Sequence, residues 1–239
     1  MKTTEAIVLA GGFGTRLQEI LPETPKPMAP VQGHPFLEYQ LHYLAFSGIH
    51  HVILAVGYKA EQIQSHFGTQ YETLHLSYSL EEQPLGTGGA LMKACESIAG
   101  DTVIALNGDT YFKTNYEALE DLFLNSGADV VLALKALTDF HRYGSVRLNS
   151  AQQVTGFSEK GYHPSGFING GVYLLSPQLL KNSGLPSHFS FEHDYLERYY
   201  TQHRIFGHAS DAYFIDIGIP EDYHRAQSEL KSSELKNHD

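Results

Sequence analysis

Four unbroken apolar runs mark the first half of the chain: Ala6-Ile7-Val8-Leu9-Ala10, Val52-Ile53-Leu54-Ala55-Val56, Val103-Ile104-Ala105-Leu106 and Val130-Val131-Leu132-Ala133-Leu134. None alternates with polar residues, which is the pattern of strands buried on both faces rather than one. Between them apolar positions recur at helical spacing, at Leu37, Leu41 and Leu44, at Ile63 and Phe67, at Leu91, Cys95 and Ile98, and at Leu119, Leu122 and Phe123. Strands alternating with helices form βαβ units, so the pattern predicts an α/β fold with a Rossmann-like, mostly parallel sheet flanked by helices.

Beyond Lys135 the texture changes. Gly144 to Leu148, Val154 to Ser158 and Val172 to Leu175 are short strand-like segments separated by turn residues, which predicts a small antiparallel β layer added to the first unit. A helix is expected from about Phe191 to His203, and a last one after Pro220-Glu221-Asp222, where a fixed φ and acidic side chains both favour a helix start. No repeat or linker interrupts the 239 residues, and residues 1–239 are read as a single domain.

Composition narrows the function. Hydrophobic residues at 42% and charged residues at 18% suit a globular core. The single cysteine, Cys95, and a start that leads straight into an apolar strand point to the reducing cytoplasm. No apolar run approaches the roughly 18 residues that span a bilayer, so no membrane partner is expected. A net charge of -11 argues against nucleic acid, whereas small phosphorylated ligands can be held by a few local cations, backbone amides and a divalent metal.

In open α/β sheets ligands bind beyond the carboxyl ends of the strands. Directly after the first strand stands Gly11-Gly12-Phe13-Gly14-Thr15-Arg16-Leu17, whose glycines let backbone N–H groups approach phosphate oxygens and whose arginine adds a fixed charge. The loop lacks the Gly-Lys-Ser/Thr ending of a P-loop and the spacing of the dinucleotide fingerprint. A tight turn would explain the glycines alone. In Pro25-Lys26-Pro27-Met28 two prolines restrict where the lysine between them can point.

Glycine loop, Thr15-Arg16-Leu17 and Pro-Lys-Pro together resemble the signature of the sugar-phosphate nucleotidyltransferases. The likeness continues in order through Gln83 to Ala90, Leu106-Asn107-Gly108-Asp109, Glu159-Lys160, Asn169-Gly170-Gly171 and Phe214 to Gly218. It implies the nucleotide-diphospho-sugar transferase type of fold. It also implies nucleotide contacts at Leu9, Ala10, Gly11, Gly12, Gly14, Thr15, Gln83 and Gly88, with Gln83 and Gly88 bordering the base. Sugar-phosphate contacts fall on Asn107, Gly144, Glu159, Lys160, Asn169 and Gly170, and catalytic roles on Arg16, Lys26, Asp109 and Asp216. Within the family, Phe140 to Gly144, Phe189 to Glu192 and Asp216 to Tyr223 look most similar to D-glycero-α-D-manno-heptose 1-phosphate guanylyltransferases.

Asp109 and Asp216 each follow an apolar strand and resemble the family's two metal-binding aspartates. Hard oxygen ligands in small number, completed by phosphate and water, suit Mg²⁺ better than zinc. The implied substrates are a nucleoside triphosphate, here GTP, and a sugar 1-phosphate. The latter is already an anionic nucleophile, so the reaction needs alignment and charge neutralisation rather than a general base. Transfer of a uridylyl, thymidylyl or cytidylyl group to another sugar 1-phosphate is an alternative, because base choice depends on a few pocket contacts. A non-catalytic regulatory module that binds nucleotide-sugars is a second. Oligomeric state is not legible.

Overall fold

The computed structural model describes residues 1–12, 14, 17 and 20–235. Strand β1 (Glu5–Leu9) is followed by the hairpin β2 (Pro30–Val31) and β3 (His34–Pro35), helix α1 (Phe36–Phe46), β4 (His51–Val56), α2 (Ala60–Phe67), β5 (Gln70–Tyr71), β6 (Leu74–Leu80), α3 (Gly86–Cys95) and β7 (Val103–Asn107). The second half runs β8 (Thr110–Phe112), α4 (Tyr116–Ser126), β9 (Val130–Phe140), β10 (Ser145–Leu148), β11 (Val154–Ser158), β12 (His163–Leu175) and α5 (Pro177–Lys181). A π-helical stretch, Phe191–Leu196, leads into α6 (Glu197–Tyr199), then β13 (Ile205–Ser210), β14 (Phe214–Asp216) and α7 (Pro220–Glu229).

Strand β1 lies inside the main sheet, parallel to β4 on one side and to β7 on the other, and β6 extends the parallel set beyond β4. Both faces are covered. Ala6 and Val8 meet Leu37, Leu41 and Leu44 of α1 and Ile63 of α2, whereas Ile7, between them, meets Leu91 and Cys95 of α3. Two covered faces account for a strand without polar alternation.

The antiparallel strands foreseen after Lys135 are present and continue the same sheet: β12 pairs antiparallel with β7, and β10 joins β12 to β11. The run from Val130 to Leu134 is fully buried, but its partners differ from those of the parallel set, since β9 is antiparallel to β12 and parallel to β13. Burial on both faces dictates the composition of a strand and not its direction. Two features are shorter than the periodicity predicts. Helix α3 ends at Cys95, leaving Ile98 buried in the following turn, and the helical segment that begins at Phe191 stops at Tyr199, because the chain must reverse to start β13 at the buried Ile205.

A separate antiparallel pair, β8 with β14, sits beside the main sheet. Tyr111, Ile215 and Ile217 bury its underside against Tyr223 and Ala226 of α7 and Tyr39 of α1. Gly170 of β12 fits this pair to the sheet, because a methyl there would stand 2.5 Å from the Phe112 ring and 2.9 Å from the Ala133 carbonyl oxygen. Gly170→Ala is therefore expected to destabilise the protein by about 1–3 kcal/mol in urea unfolding, the usual cost of overpacking. An unchanged midpoint would mean that β12 has slack against Phe112.

Candidate active site

The carboxyl ends of β1, β7 and β6 open onto one cleft of about 300 Å³, lined among others by Leu9, Ala10, Gly11, Gly12, Gly14, Lys26, Glu81, Pro84, Thr87, Asn107 and Asp109. A second cleft of about 520 Å³ adjoins it and shares Thr87, Asn107 and Asp109. Its other walls include Tyr143, Gly144, Lys160, Asn169, Tyr173, Glu192 and Asp216. Together they give one long crevice with Asp109 at its waist.

Local structure sets that waist. Gly108 donates to the Leu9 carbonyl at 2.9 Å, and a side chain at 108 would meet that oxygen at 2.6 Å, so only glycine lets the turn after β7 lie on β1. Gln40, 3% exposed on α1, donates to the carbonyls of Asn107 at 2.8 Å and Thr110 at 2.6 Å and props the turn from beneath. The Asp109 carbonyl in turn accepts the Ile217 N–H at 2.9 Å, and Asp216 stands opposite Thr110 in the β8–β14 ladder. Two carboxylates more than a hundred residues apart in sequence thus share one site.

Lys26 enters from the other side. Pro25 is extended (φ -64°, ψ 142°), Pro27 is buried, and the lysine stem passes under Gly14, whose left-handed φ of 60° suits glycine. Its Nζ lies 2.5 Å from Asp109 Oδ2 and close to Gly218, which donates to Asp216 Oδ1 at 2.7 Å. Burial raises the Asp216 pKa, and the neighbouring Asp109 charge raises it further, while Lys26 and the Gly218 N–H work the other way. Paired hard oxygens that resist joint ionisation are donors a divalent cation would suit. Among the described residues no cluster of three or more His, Cys, Asp or Glu could form a metal cage, so a cation here would depend on oxygens from a ligand.

The remaining expected positions divide. Thr15 and Arg16 lie outside the described residues. Lys160, Asn169 and Gly144 line the larger cleft, whereas Glu159 and Gln83 are exposed and outside both linings. Gly170 is buried against Phe112, and Gly88 against the Phe189 ring, which occupies the place of any side chain there. These two glycines are required by packing.

Glu81 on the wall of the first cleft, and an ion pair beside the second, involve residues with no role in the expected site. Glu81 leans over Gly11, where its Oε1 occupies the space of a β-carbon. Its Oε2 accepts the Leu85 N–H at 3.1 Å, and burial raises its pKa against that bond and the Lys93 charge. Arg142 pairs with the buried Asp222, which also holds Arg225 at 2.8 Å, and the Arg142 guanidinium lies 5.4 Å from the Tyr143 ring centre. This clamp fastens the loop carrying Tyr143 and Gly144 to the start of α7. Apolar patterning gives no sign of an ion pair that forms only in three dimensions.

A sequence model described as nucleotidyl transferase matches residues 5–233. The chain belongs to the nucleotidyl transferase family. It is 46% identical over 227 residues to the D-glycero-alpha-D-manno-heptose 1-phosphate guanylyltransferase of Aneurinibacillus thermoaerophilus, covering 95% of this chain and 98% of that one. To the enzyme of the same name from Campylobacter jejuni it is 43% identical over 220 residues, covering 92% and 97%. A crystal structure of HddC from Yersinia pseudotuberculosis complexed with GMP-PN is 35% identical, with a TM-score of 0.86 over 96% of this chain and 100% of that one.

The raised Asp216 pKa has a sign that can be tested. A carboxyl whose pKa is higher in the folded protein favours folding most below the ordinary carboxyl range, and that contribution is lost as pH rises through the raised value. In metal-free protein Asp216→Asn should therefore melt above the parent at pH 8, with the gap closing as the solution is acidified. A variant that melts lower at every pH would show that the ionised group stabilises the fold.

Proposed function

We propose that the protein transfers a guanylyl group from GTP to a sugar 1-phosphate, D-glycero-α-D-manno-heptose 1-phosphate, releasing pyrophosphate. The observation that carries this reading is the meeting of the two clefts at Asp109, with Lys26 and Asp216 beside it. The glycine-lined cleft takes the nucleotide and the larger one the sugar phosphate. The relatives of the heptose guanylyltransferase name supply the choice of sugar. We also read residues 1–239 as one catalytic domain working in the cytoplasm; among the described residues no helix is long and apolar enough to cross a membrane.

In the reaction an oxygen of the sugar phosphate forms a bond to the α-phosphorus. The bond from that phosphorus to the bridging oxygen breaks, and its electron pair leaves with pyrophosphate. Lys26 sits where the two anions converge and lowers their repulsion, Lys160 adds positive charge in the larger cleft, and the family resemblance assigns Arg16 to the triphosphate. Asp109 and Asp216 would hold Mg²⁺, which neutralises phosphate charge when bound. The backbone at Gly11, Gly12 and Gly14 cradles phosphate, and Asn107, Gly144 and Asn169 line the sugar side. No side chain need remove a proton, because the attacking oxygen is already anionic.

Glu81 favours guanine. Guanine presents two adjacent donors, N1–H and N2–H₂, to a carboxylate, whereas uracil and thymine offer one donor between carbonyls and cytosine an amine beside an acceptor. Glu81 keeps lone pairs for such a pair after accepting from Leu85. Glu81, not Gln83, is thus our base-reading residue, since Gln83 is exposed outside the cleft.

Pyrophosphate release should be fastest with GTP, Mg²⁺ and the heptose 1-phosphate in a panel of nucleoside triphosphates and hexose or heptose 1-phosphates. Preference for UTP with a hexosamine 1-phosphate would overturn the reading. Lys26→Ala should lose about a hundredfold in kcat, near 3 kcal/mol, and Arg16→Ala a similar amount, whereas near-normal turnover in either would remove it from the mechanism. Glu81→Gln should shrink the preference for GTP over ITP, which lacks the N2 amine, by about tenfold. An unaltered ratio would exclude Glu81 from base selection.

A further inference from the structure

Glu192 lines the larger cleft beside Thr87, which both clefts share, and accepts three hydroxyl hydrogen bonds. Thr87 Oγ1 lies 2.5 Å and Ser190 Oγ 3.1 Å from its Oε2, and Tyr173 Oη 3.1 Å from its Oε1. A carboxylate has no proton to give, so each hydroxyl must donate toward it. Thr87 agrees, since its oxygen also accepts the Phe191 N–H at 2.9 Å and is left to donate. The direction then propagates. Tyr173, wholly buried, points its hydrogen at Glu192 and can only accept from Asn169 Nδ2 at 3.0 Å. Asn169 Oδ1 is turned toward the backbone, where it accepts the Gly171 N–H at 3.0 Å.

We propose that Glu192 is a positioning residue for the sugar phosphate: through Tyr173 it fixes the orientation of the Asn169 amide, which presents its second N–H to the larger cleft as a donor for a ligand oxygen. The proposal rests on the sugar-phosphate reading of that cleft. Asn169 touches the ligand, whereas Tyr173 and Glu192 act through it. Without the tyrosine hydroxyl the amide is held only through its oxygen by the Gly171 N–H, so its nitrogen loses its anchor and the N–H presented to the cleft is no longer held in place.

The test is a double-mutant cycle read in KM for the sugar 1-phosphate and for GTP, with the fold checked by thermal melting. Turnover by the parent is measured first, because its absence defeats the underlying reading and not this inference alone. Given turnover, Tyr173→Phe should raise the sugar-phosphate KM by about tenfold, the worth of one hydrogen bond, and leave the GTP KM unchanged. Tyr173→Phe in an Asn169→Ala background should add less than about twofold, because a residue that acts only through Asn169 has nothing left to orient. Additive effects, an equal rise in the GTP KM, or an unmoved sugar-phosphate KM would overturn the proposal. Should Tyr173→Phe fail to fold, Glu192→Gln replaces it in the same cycle. Its amide keeps one acceptor oxygen and turns a donor toward the other hydroxyls, and the same non-additivity with Asn169→Ala is expected.

Discussion

The site depends on two acidic side chains held closer than water would leave them. Asp109 follows the end of β7 and Asp216 ends β14, and the β8–β14 pairing brings them together through the bond from the Ile217 N–H to the Asp109 carbonyl. Burial and, after it, the Asp109 charge raise the Asp216 pKa, and Lys26 offsets them only in part. Much of the surrounding structure resists the parting of this pair. Gln40 props one turn, the Gly218 N–H orients Asp216, and the apolar underside of β8 and β14 is buried by α1 and α7. A site so arranged favours whatever brings positive charge to it.

The parallel half of the fold was legible because burial on both faces leaves an unmistakable composition, and β1 shows why: successive residues go to opposite covered faces. The same signal held for β9, which runs in the direction of β7 because both lie antiparallel to β12. Its run from Val130 to Leu134 is as apolar as β1, and what composition does not show is the reversed strand β12 inserted between β9 and β7. Strand direction is fixed by where the chain returns, which is a property of the connections. For the same reason the β8–β14 pair could not be foreseen, since each strand has three residues and neither shows periodicity.

Legibility within the site followed the same division. Lys26, Asp109 and Asp216 stand out because prolines, glycines and strand ends surround them. Glu81 and Tyr173 do not, and Glu192, though it ends the family-like segment from Phe189, has no role there, for their positions come from contacts across the chain: Glu81 over Gly11, Glu192 against Thr87, Tyr173 beside Asn169. A carboxylate beside Glu82 and Gln83 looks like part of a polar stretch until β6 delivers it to the cleft wall. Arg16 remains a reading of sequence alone, outside the described residues.

The run Gly86-Thr87-Gly88-Gly89 joins these threads. Such a run after a strand suggests backbone laid against a ligand, yet side chains at all three glycines would strike residues 187–189: the Phe189 carbonyl at Gly86, its ring at Gly88 and the Ser187 carbonyl at Gly89. The Phe189 carbonyl also accepts the N–H groups of Gly88 and Gly89, at 3.0 and 3.3 Å. The glycines are therefore the inner half of an internal interface. What they make possible is the approach of the next residues, Ser190 and Glu192, to Thr87, the one member of the run with a functional side chain. The motif thus acts indirectly, by letting the wall of one compartment rest on the wall of the other.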